Sequence, residues 1–366
     1  MDTDAPPRHL VAAIISRVRS LPFSDRVATG LGLVIGLLFC AVVIAGLGTH
    51  AAREAAEDMK SRHLPFLETA LGLEELIYEA VYHSGMFGAS DDMASYSGAR
   101  IGFASIRTEA DRLANQATAI PEANALARDM QALRDLAHRL DLIVEKKRTL
   151  NDERAAEQSE LQKIAGDMGD ILLDLQARLA SATGPAGPGT ETGNLDEKAR
   201  LLVLNGFSLA VAEVAGRGLA AGVAKSAEDM VKVQAYFTVR WEEARDACFA
   251  AAALPAAAGT IPARTMENPG KEMERLVGVF ADSLSAIRFN LEESARVTMD
   301  RTETTSRLLS LTRGILAVAR DSIADAADRT DTALRGATAT IFACALLACI
   351  LAVTAALAFV RSRPSA

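Results

Sequence analysis

Two long stretches without a charged residue lie near the two ends of the chain, at 27–49 and 336–360. A helix needs about 20 apolar residues to cross the hydrocarbon core of a bilayer, and both stretches are long enough. Arginine flanks each stretch, with Arg26 before the first and Arg335 and Arg361 on either side of the second. The pattern therefore predicts two transmembrane helices, 27–49 and 336–360.

Between these stretches the apolar positions follow helical spacing, and no sustained alternation with a period of two indicates strands. Prolines and a Gly/Pro/Thr-rich loop at 183–193 divide the segment into six predicted helices. Side chains that accept a hydrogen bond from the first helical turn mark several starts. Ser90 is the predicted cap of the second helix, Asn194 of the fourth, Ser226 of the fifth and Asn268, before a proline, of the sixth.

The third predicted helix, about 122–182, and the sixth, which begins at 269 and continues into the second span, each carry one apolar stripe with steps of three and four. Both stripes become polar in the middle, at Lys147, Arg154 and Glu157 on the third helix and at Ser294, Thr298, Arg301 and Thr305 on the sixth. If the loop between the two helices is an apex, these polar positions lie at one height. They then form a shared polar waist, for which a salt-bridged junction is the favoured interpretation over a ligand site.

A shared waist favours two stacked modules, a lower one of about 50–150 with 300–335 and an upper one of about 150–300. A single long coiled coil that tolerates a few polar seam residues is the alternative. Isolated seams of this length leave apolar stripes to share, which predicts a homodimer. The expected fold is thus all-α: two transmembrane helices flanking an extracytoplasmic six-helix domain of two stacked four-helix bundles.

The charge of the chain sets its expected topology. Its 366 residues include 39 Lys+Arg and 47 Asp+Glu, for a net charge of -8, which argues against nucleic acid as a partner. Lys and Arg concentrate at the cytoplasmic ends of spans, and arginines dominate the flanks 1–26 and 361–366. We therefore expect an inner-membrane protein with both termini cytoplasmic and the acidic segment 50–335 in the periplasm.

The order of elements resembles the helical bimodular sensor domains of bacterial chemoreceptors (methyl-accepting chemotaxis proteins) and sensor histidine kinases. The order is span, two short helices, a long one, two short ones, a long one and span, over about 48–336; no ligand motif carries the resemblance. It implies that the exterior binds a small molecule or docks a periplasmic binding protein, and that the sixth helix transmits the signal. Receptors of this type continue into a cytoplasmic output domain, whereas this sequence ends at Ala366. An output protein on a separate chain, or a truncated receptor, is therefore expected.

The sequence offers no catalytic or metal-binding pattern. Its five histidines have no zinc-site spacing, and it contains no nucleophile elbow, P-loop or dinucleotide-binding turn. We therefore expect no enzyme activity, no metal and no cofactor.

The best predicted ligand-binding cluster is in the upper module. Tyr236 and Arg240 are four residues apart on one face of the fifth helix, beside Trp241. The guanidinium of arginine can donate two parallel hydrogen bonds to a carboxylate, and aromatic neighbours exclude water. Arg288 and Asn205, on the sixth and fourth helices, are predicted to converge with them. The alternative places Trp241 in the core and the Arg240 guanidinium in solvent.

A second predicted pocket is in the lower module. Tyr78 and Tyr82 share one face of the first helix, and Arg100 and Arg107 share one face of the second. Ordinary packing with exposed arginines is the alternative for these four residues. Both clusters suit a transmembrane signal-transduction receptor that senses a small solute or a ligand-loaded binding protein. The competing class is a non-sensory two-span scaffold or assembly protein with a helical periplasmic spacer.

Overall fold

The computed structural model describes residues 22–182, 191–219, 224, 226–256 and 268–361. Every regular element in these ranges is helical, so the all-α prediction is confirmed for them. Three predicted segments lie wholly or mostly outside the described residues: the N-terminal segment 1–26, the loop 183–193 and the tail 361–366.

The described helices are α1 (Phe23–Asp58), α2 (Leu64–Ser90), α3 (Met93–Ala117), α4 (Ala127–Ala182), α5 (Glu191–Leu219), α6 (Ala227–Ala252) and α7 (Pro269–Arg361). A π-helical turn, Met59–His63, joins α1 to α2 without a break, and a 3-10 turn, Pro121–Leu126, precedes α4. α1 and α2 thus form one segment, and the described ranges contain the six helical segments that the sequence predicts.

Two of the predicted helix caps are confirmed. The hydroxyl of Ser226 accepts a hydrogen bond from the backbone N–H of Asp229 at 3.2 Å, at the start of α6. The side-chain carbonyl of Asn268 accepts one from the backbone N–H of Lys271 at 3.2 Å, with a proline at the first position of α7. Both residues satisfy an N–H group that the helix itself leaves unpaired.

The other two predicted caps are wrong. Ser90 is still part of α2, and its hydroxyl donates to the carbonyl of Met86 at 2.8 Å. Asp92 caps α3 instead, because its carboxylate accepts the backbone N–H of Ser95 at 2.9 Å. α5 begins at Glu191, which places Asn194 inside the helix rather than at its cap.

The predicted stripes of α4 and α7 are buried, with one shift of register. Buried positions on α4 repeat in steps of three and four on both sides of its polar middle. On α7, Val297 and Thr304 are buried with 6% and 2% exposure, whereas the predicted Thr298 is exposed. A straight helix has 3.6 residues per turn, so a pattern that steps strictly by 3.5 drifts around it. The core-facing side of α7 therefore moves by one residue in its polar middle.

The chain divides into two compact units. The first comprises Met1–Glu75, Thr108–Leu133 and Leu311–Ala366. Within it α1 and α7 approach closely, because a Cβ at Gly48 would collide with the Ala337 Cβ and lie 3.2 Å from its Cα. His63, 4% exposed, has its Nδ1 2.7 Å from the Ser322 hydroxyl of α7.

The second unit comprises Leu76–Arg107 and Arg134–Ser310. One buried core within it takes side chains from four helices, α4, α5, α6 and α7. Phe237 of α6 and Phe280 of α7 are at its centre, with ring centroids 4.6 Å apart, and Phe207 of α5 lies 6.1 Å from Phe237. Three aromatic rings from three different helices thus pack in sequence within a core that is otherwise mostly aliphatic.

Three of the described helices are long and apolar enough to cross a membrane. They are Gly30–Ser90, Asp196–Arg217 and Pro269–Ile350, with peak mean hydropathies of 2.7, 1.4 and 1.8. The sequence analysis predicts spans within the first and the third only. The additional one belongs to α5, whose Leu204, Phe207 and Val211 are buried in the core of the second unit.

Candidate functional site

A cavity of about 360 Å³ opens between the end of α5 and the start of α6. This volume lies within the usual range of small-molecule sites, about 300–1,000 Å³. Apolar atoms form most of its wall, although four of the lining residues are charged, two of each sign. Its lining residues are Glu213, Val214, Arg217, Ala224, Asp229, Met230, Lys232, Val233 and Tyr236.

Most of the charged groups at this cavity have local partners. Glu213 and Arg217 form an ion pair one turn apart on α5. The Lys232 ammonium lies 2.9 Å from the Glu228 carboxylate, and this hydrogen bond and charge raise the pKa of Lys232. The Asp229 carboxylate accepts a hydrogen bond from the cap residue of α6 at 3.0 Å. The cavity is therefore electrically balanced, which suits a solute with an apolar body and a polar end more than a strongly charged one.

The predicted upper cluster is only partly assembled. Tyr236 lines the cavity, and the Arg240 guanidinium lies over its ring, 5.3 Å from the centroid. Arg240 also donates to Glu243 at 2.9 Å, and its pKa is raised by its hydrogen bonds to Tyr236 and Glu243. Trp241 packs against the core of the second unit, 5.4 Å from the ring of Phe207.

The other two residues of that cluster have different neighbours. Asn205 accepts a hydrogen bond from Gln176 of α4 at 2.7 Å. The Arg288 guanidinium lies 3.8 Å from the Glu292 carboxylate on its own helix. The structure thus joins Tyr236 to Arg240 and gives Asn205 and Arg288 partners outside the predicted cluster, while ligand binding by any of them stays a prediction.

In the predicted lower pocket, the two arginines meet a common partner. Arg100 Nε donates to the Asp141 carboxylate of α4 at 3.0 Å, and Arg107 Nη2 lies 3.8 Å from the same carboxylate. Tyr78 and Tyr82 are 47% and 62% exposed on α2. The arginines are therefore bridges between α3 and α4, and the two tyrosines face solvent.

Sequence reasoning missed Tyr96, the centre of this bridge. Tyr96 is 5% exposed and donates its hydroxyl proton to Glu145 of α4. Arg100 and Arg148 lie over its ring, 5.9 and 5.0 Å from the centroid. Hydrogen bonding to the Tyr96 hydroxyl and to a carboxylate raises the pKa of Arg100. The spacing of four residues between Tyr96 and Arg100, the same as between Tyr236 and Arg240, was the available signal.

The predicted polar waist contains one ion pair and two cations bound to neutral groups. The Arg154 guanidinium lies 3.6 Å from the Asp91 carboxylate, which also accepts from Asn151 at 2.5 Å. Lys147 donates to the Ser294 hydroxyl at 2.6 Å. Arg301 donates to the backbone carbonyl of Ser84 at 2.6 Å.

Glu157, the predicted fourth member of the waist, forms no ion pair with these groups in the described part of the chain. The junction is therefore richer in positive charge than the sequence suggests. In the same part of the chain, no group of three or more His, Cys, Asp or Glu side chains is placed to hold a metal ion.

Comparison with known proteins gives no assignment. No protein-family model matches the chain, and no curated protein matches it significantly.

Proposed function

We propose that the chain is a non-enzymatic two-span membrane receptor that binds a small solute in the cavity between α5 and α6. The single observation that carries this proposal is that cavity, since its volume and mostly apolar wall suit a small organic molecule. Tyr236 is the aromatic residue among the described residues that line it, and the Arg240 guanidinium over that ring offers a hydrogen-bond donor at the edge of the cavity.

The two-span topology is part of the proposal. Of the three apolar helices, α5 places Leu204, Phe207 and Val214 in a core shared with three other helices. A span that faced lipid would not need this burial, so α5 is assigned to the exterior domain. The charge-free stretches 27–49 and 336–360 remain as the spans, with both termini in the cytoplasm.

α7 is the proposed transmitting element. It is helical without interruption from Pro269 to Arg361, so it contains side chains of the ligand-side core and the second proposed span in one element. Met273, Leu276 and Phe280 of α7 belong to the core that also holds α5 and α6. A ligand that repacks α5 against α6 therefore changes the packing of α7 in the same core.

A second copy of the chain is the proposed partner. Leu202 and Leu209 on α5 are 72% and 70% exposed, and seven residues separate them, which places both on one helix face. Such a stripe is suited to association of two copies in the periplasm. A ligand-loaded binding protein and a cytoplasmic output protein on a separate chain remain the other proposed partners.

The test is thermal unfolding of the full chain in nanodiscs against a panel of small carboxylates, amino acids and amines. A compound that raises the unfolding temperature of the wild type but not of Tyr236→Ala supports the proposed site. Tyr78→Ala is the matched control, because Tyr78 is exposed to a similar extent, 47% against 41% for Tyr236. Loss of the effect in Tyr78→Ala alone would move the site to α2.

No stabilisation by any compound, together with unchanged unfolding of both variants, would favour the scaffold class instead. The topology has its own test. Ala256→Cys, at an exposed position, is expected to react with a membrane-impermeant maleimide in cells whose outer membrane is permeabilised. Reaction only after the inner membrane is broken would refute a periplasmic exterior.

A further inference from the structure

A second, much smaller cavity lies among α2, α4 and α7, within the second compact unit and separate from the proposed ligand cavity. Its polar lining is Ser84 of α2, Lys147 of α4, and Thr298 and Arg301 of α7. It has room for little more than one water-sized sphere. An organic solute therefore does not fit, but a monatomic ion or a single water does.

The hydroxyl of Ser84 indicates that this cavity can hold a polar group. Ser84 is 2% exposed, and its Oγ has no hydrogen-bond partner among the described residues. A buried hydroxyl ordinarily has at least one partner. A serine within a helix can donate to the carbonyl four residues before it, as Ser90 does in the same helix. The Ser84 hydroxyl forms no such bond, so it is available to a group inside the cavity.

The positive charges around the cavity are only partly compensated, because the negative charge of Asp91 acts on Lys147 but is shared with Arg154. Lys147 donates to the Ser294 hydroxyl and Arg301 to the Ser84 backbone carbonyl, both at 2.6 Å. Neither forms an ion pair within the described ranges of the chain. The nearby carboxylate of Asp91 is 3.6 Å from Arg154. Burial lowers the pKa of Lys147 and of Arg301, because removing a cation from water disfavours its charged form.

The missing side chain of Gly88 allows Arg301 to approach the backbone of α2. A Cβ at Gly88 would collide with Nη1 of Arg301 and lie 3.1 Å from its Cζ. The guanidinium therefore rests on the bare backbone of α2, one turn after Ser84. This contact, with the hydrogen bond to the Ser84 carbonyl, holds the guanidinium at the cavity wall.

We propose that this cavity is a binding site for a small monovalent anion of chloride size, held by the Lys147 ammonium, the Arg301 guanidinium and the Ser84 hydroxyl. An anion supplies the missing acceptor for Ser84 and compensates both cations. A water molecule satisfies the hydroxyl but adds no negative charge beside the two cations and Arg154, which share the single carboxylate of Asp91, so the charge balance favours the anion.

The test is thermal unfolding of the full chain in detergent micelles at one fixed ionic strength, with chloride, bromide, fluoride or gluconate as the anion. The unfolding temperature is expected to rise with chloride and bromide relative to gluconate, and to saturate as chloride replaces gluconate. General salt effects on proteins do not saturate in this way and act on all variants alike.

Lys147→Met is expected to lose the chloride-dependent rise. Lys146→Met is the matched control, because the neighbouring Lys146 is exposed and pairs with Glu293 outside the cavity, and this variant keeps the rise. Equal unfolding temperatures in all four salts for the wild type, or an undiminished rise in Lys147→Met, would overturn the proposal.

Ser84→Ala keeps the test informative if Lys147→Met does not fold. With the anion bound, the alanine variant loses a ligand contact, so its unfolding temperature falls more in chloride than in gluconate. If the cavity holds only water, the change caused by Ser84→Ala is the same in both salts, and the anion site is refuted.

Discussion

The close approach of α2 and α3 at Gly102 gives the sharpest prediction of stability. A Cβ at Gly102 of α3 would lie 2.6 Å from the Cβ and 3.1 Å from the Cα of Ala80 in α2. Real Cβ atoms do not approach each other this closely, and neither atom of Ala80 can rotate away. Gly102→Ala must therefore push the two helices apart, although alanine is the better helix former.

The magnitude follows from two opposing effects. Replacing glycine by alanine inside a helix gains about 1 kcal/mol from backbone entropy. Overpacking of a close contact costs about 1–3 kcal/mol, and Phe103 and Ile106, fully buried on the same helix, leave little room for the shift. We expect Gly102→Ala to lower the free energy of unfolding by about 1 kcal/mol.

Gly166→Ala is the matched control, because a Cβ at this position of α4 meets nothing within 4 Å. The same substitution there gains the helix propensity without the collision, so it should stabilise the chain by about 1 kcal/mol. The assay is denaturant unfolding of the full chain in micelles, followed by far-UV circular dichroism.

A third variant isolates the contact itself. Ala80→Gly opens space on α2, so Gly102→Ala should cost less in that background than in the wild type, with a coupling of about 1 kcal/mol or more. If Gly102→Ala stabilises the chain as much as Gly166→Ala, or if the coupling with Ala80→Gly is zero, then α2 and α3 do not pack at this distance.

Three further predictions concern single side chains. Arg100→Met should lower the free energy of unfolding, measured with denaturant, by about 1 kcal/mol, because it removes an ion-pair partner from the mostly buried Asp141 carboxylate of α4. Arg112→Met, at an exposed ion pair, should change the same free energy by no more than about 0.5 kcal/mol. Burial raises the pKa of Cys248 to about 12; mass spectrometry at neutral pH should therefore find this thiol unmodified by maleimide until the chain unfolds, and labelling of the native chain contradicts the buried core. A hydrogen bond from a backbone N–H lowers the pKa of Asp92 from 3.8, so the stability that its carboxylate contributes is present above that pH and is lost as the pH falls through the lower folded pKa. Asp92→Asn keeps a neutral acceptor, so the free energy of unfolding of this variant should depend less on pH in that range. An identical dependence on pH in the wild type and the variant contradicts the cap.

Local signals in the sequence were sufficient for the helices and for some of their ends. The caps at Ser226 and Asn268 were predictable because each side chain accepts a hydrogen bond from the first turn of its own helix, three residues later in the sequence. The same logic chose wrongly at Ser90, because α2 continues through Ser90 and Asp92 is the residue placed before the first turn of α3. The choice between two such neighbours depends on where the preceding helix stops, which packing decides.

The candidate sites show the same division between local and distant contacts. The pairing of Tyr236 with Arg240 follows from their spacing on one helix, and so does the common side of Arg100 and Arg107. The partner of those two arginines, Asp141, depends on the rotation of α4 about its axis. Periodicity fixes the apolar stripe of a helix to within a residue, and one residue turns the polar side by about 100°. The hydrogen bond that Asn205 accepts from Gln176 of α4 depends on the same rotation, so its spacing along α5 could not indicate it.

The π-helical turn at Met59–His63 sets the angular phase of α1 against α2. The wide turn accommodates one additional residue, which in an uninterrupted α-helix would rotate everything before it by about 100°. Gly48, which precedes the turn in α1, and His63, within the turn, both contact α7 in the first unit. Deleting one residue within the turn would therefore restore an ordinary α-helix and keep both contacts, whereas an α-helix of the unchanged length would rotate Gly48 away from α7. A deletion between Gly48 and Met59, outside the turn, is expected to be more disruptive than a deletion within it, because it would rotate Gly48 away from α7.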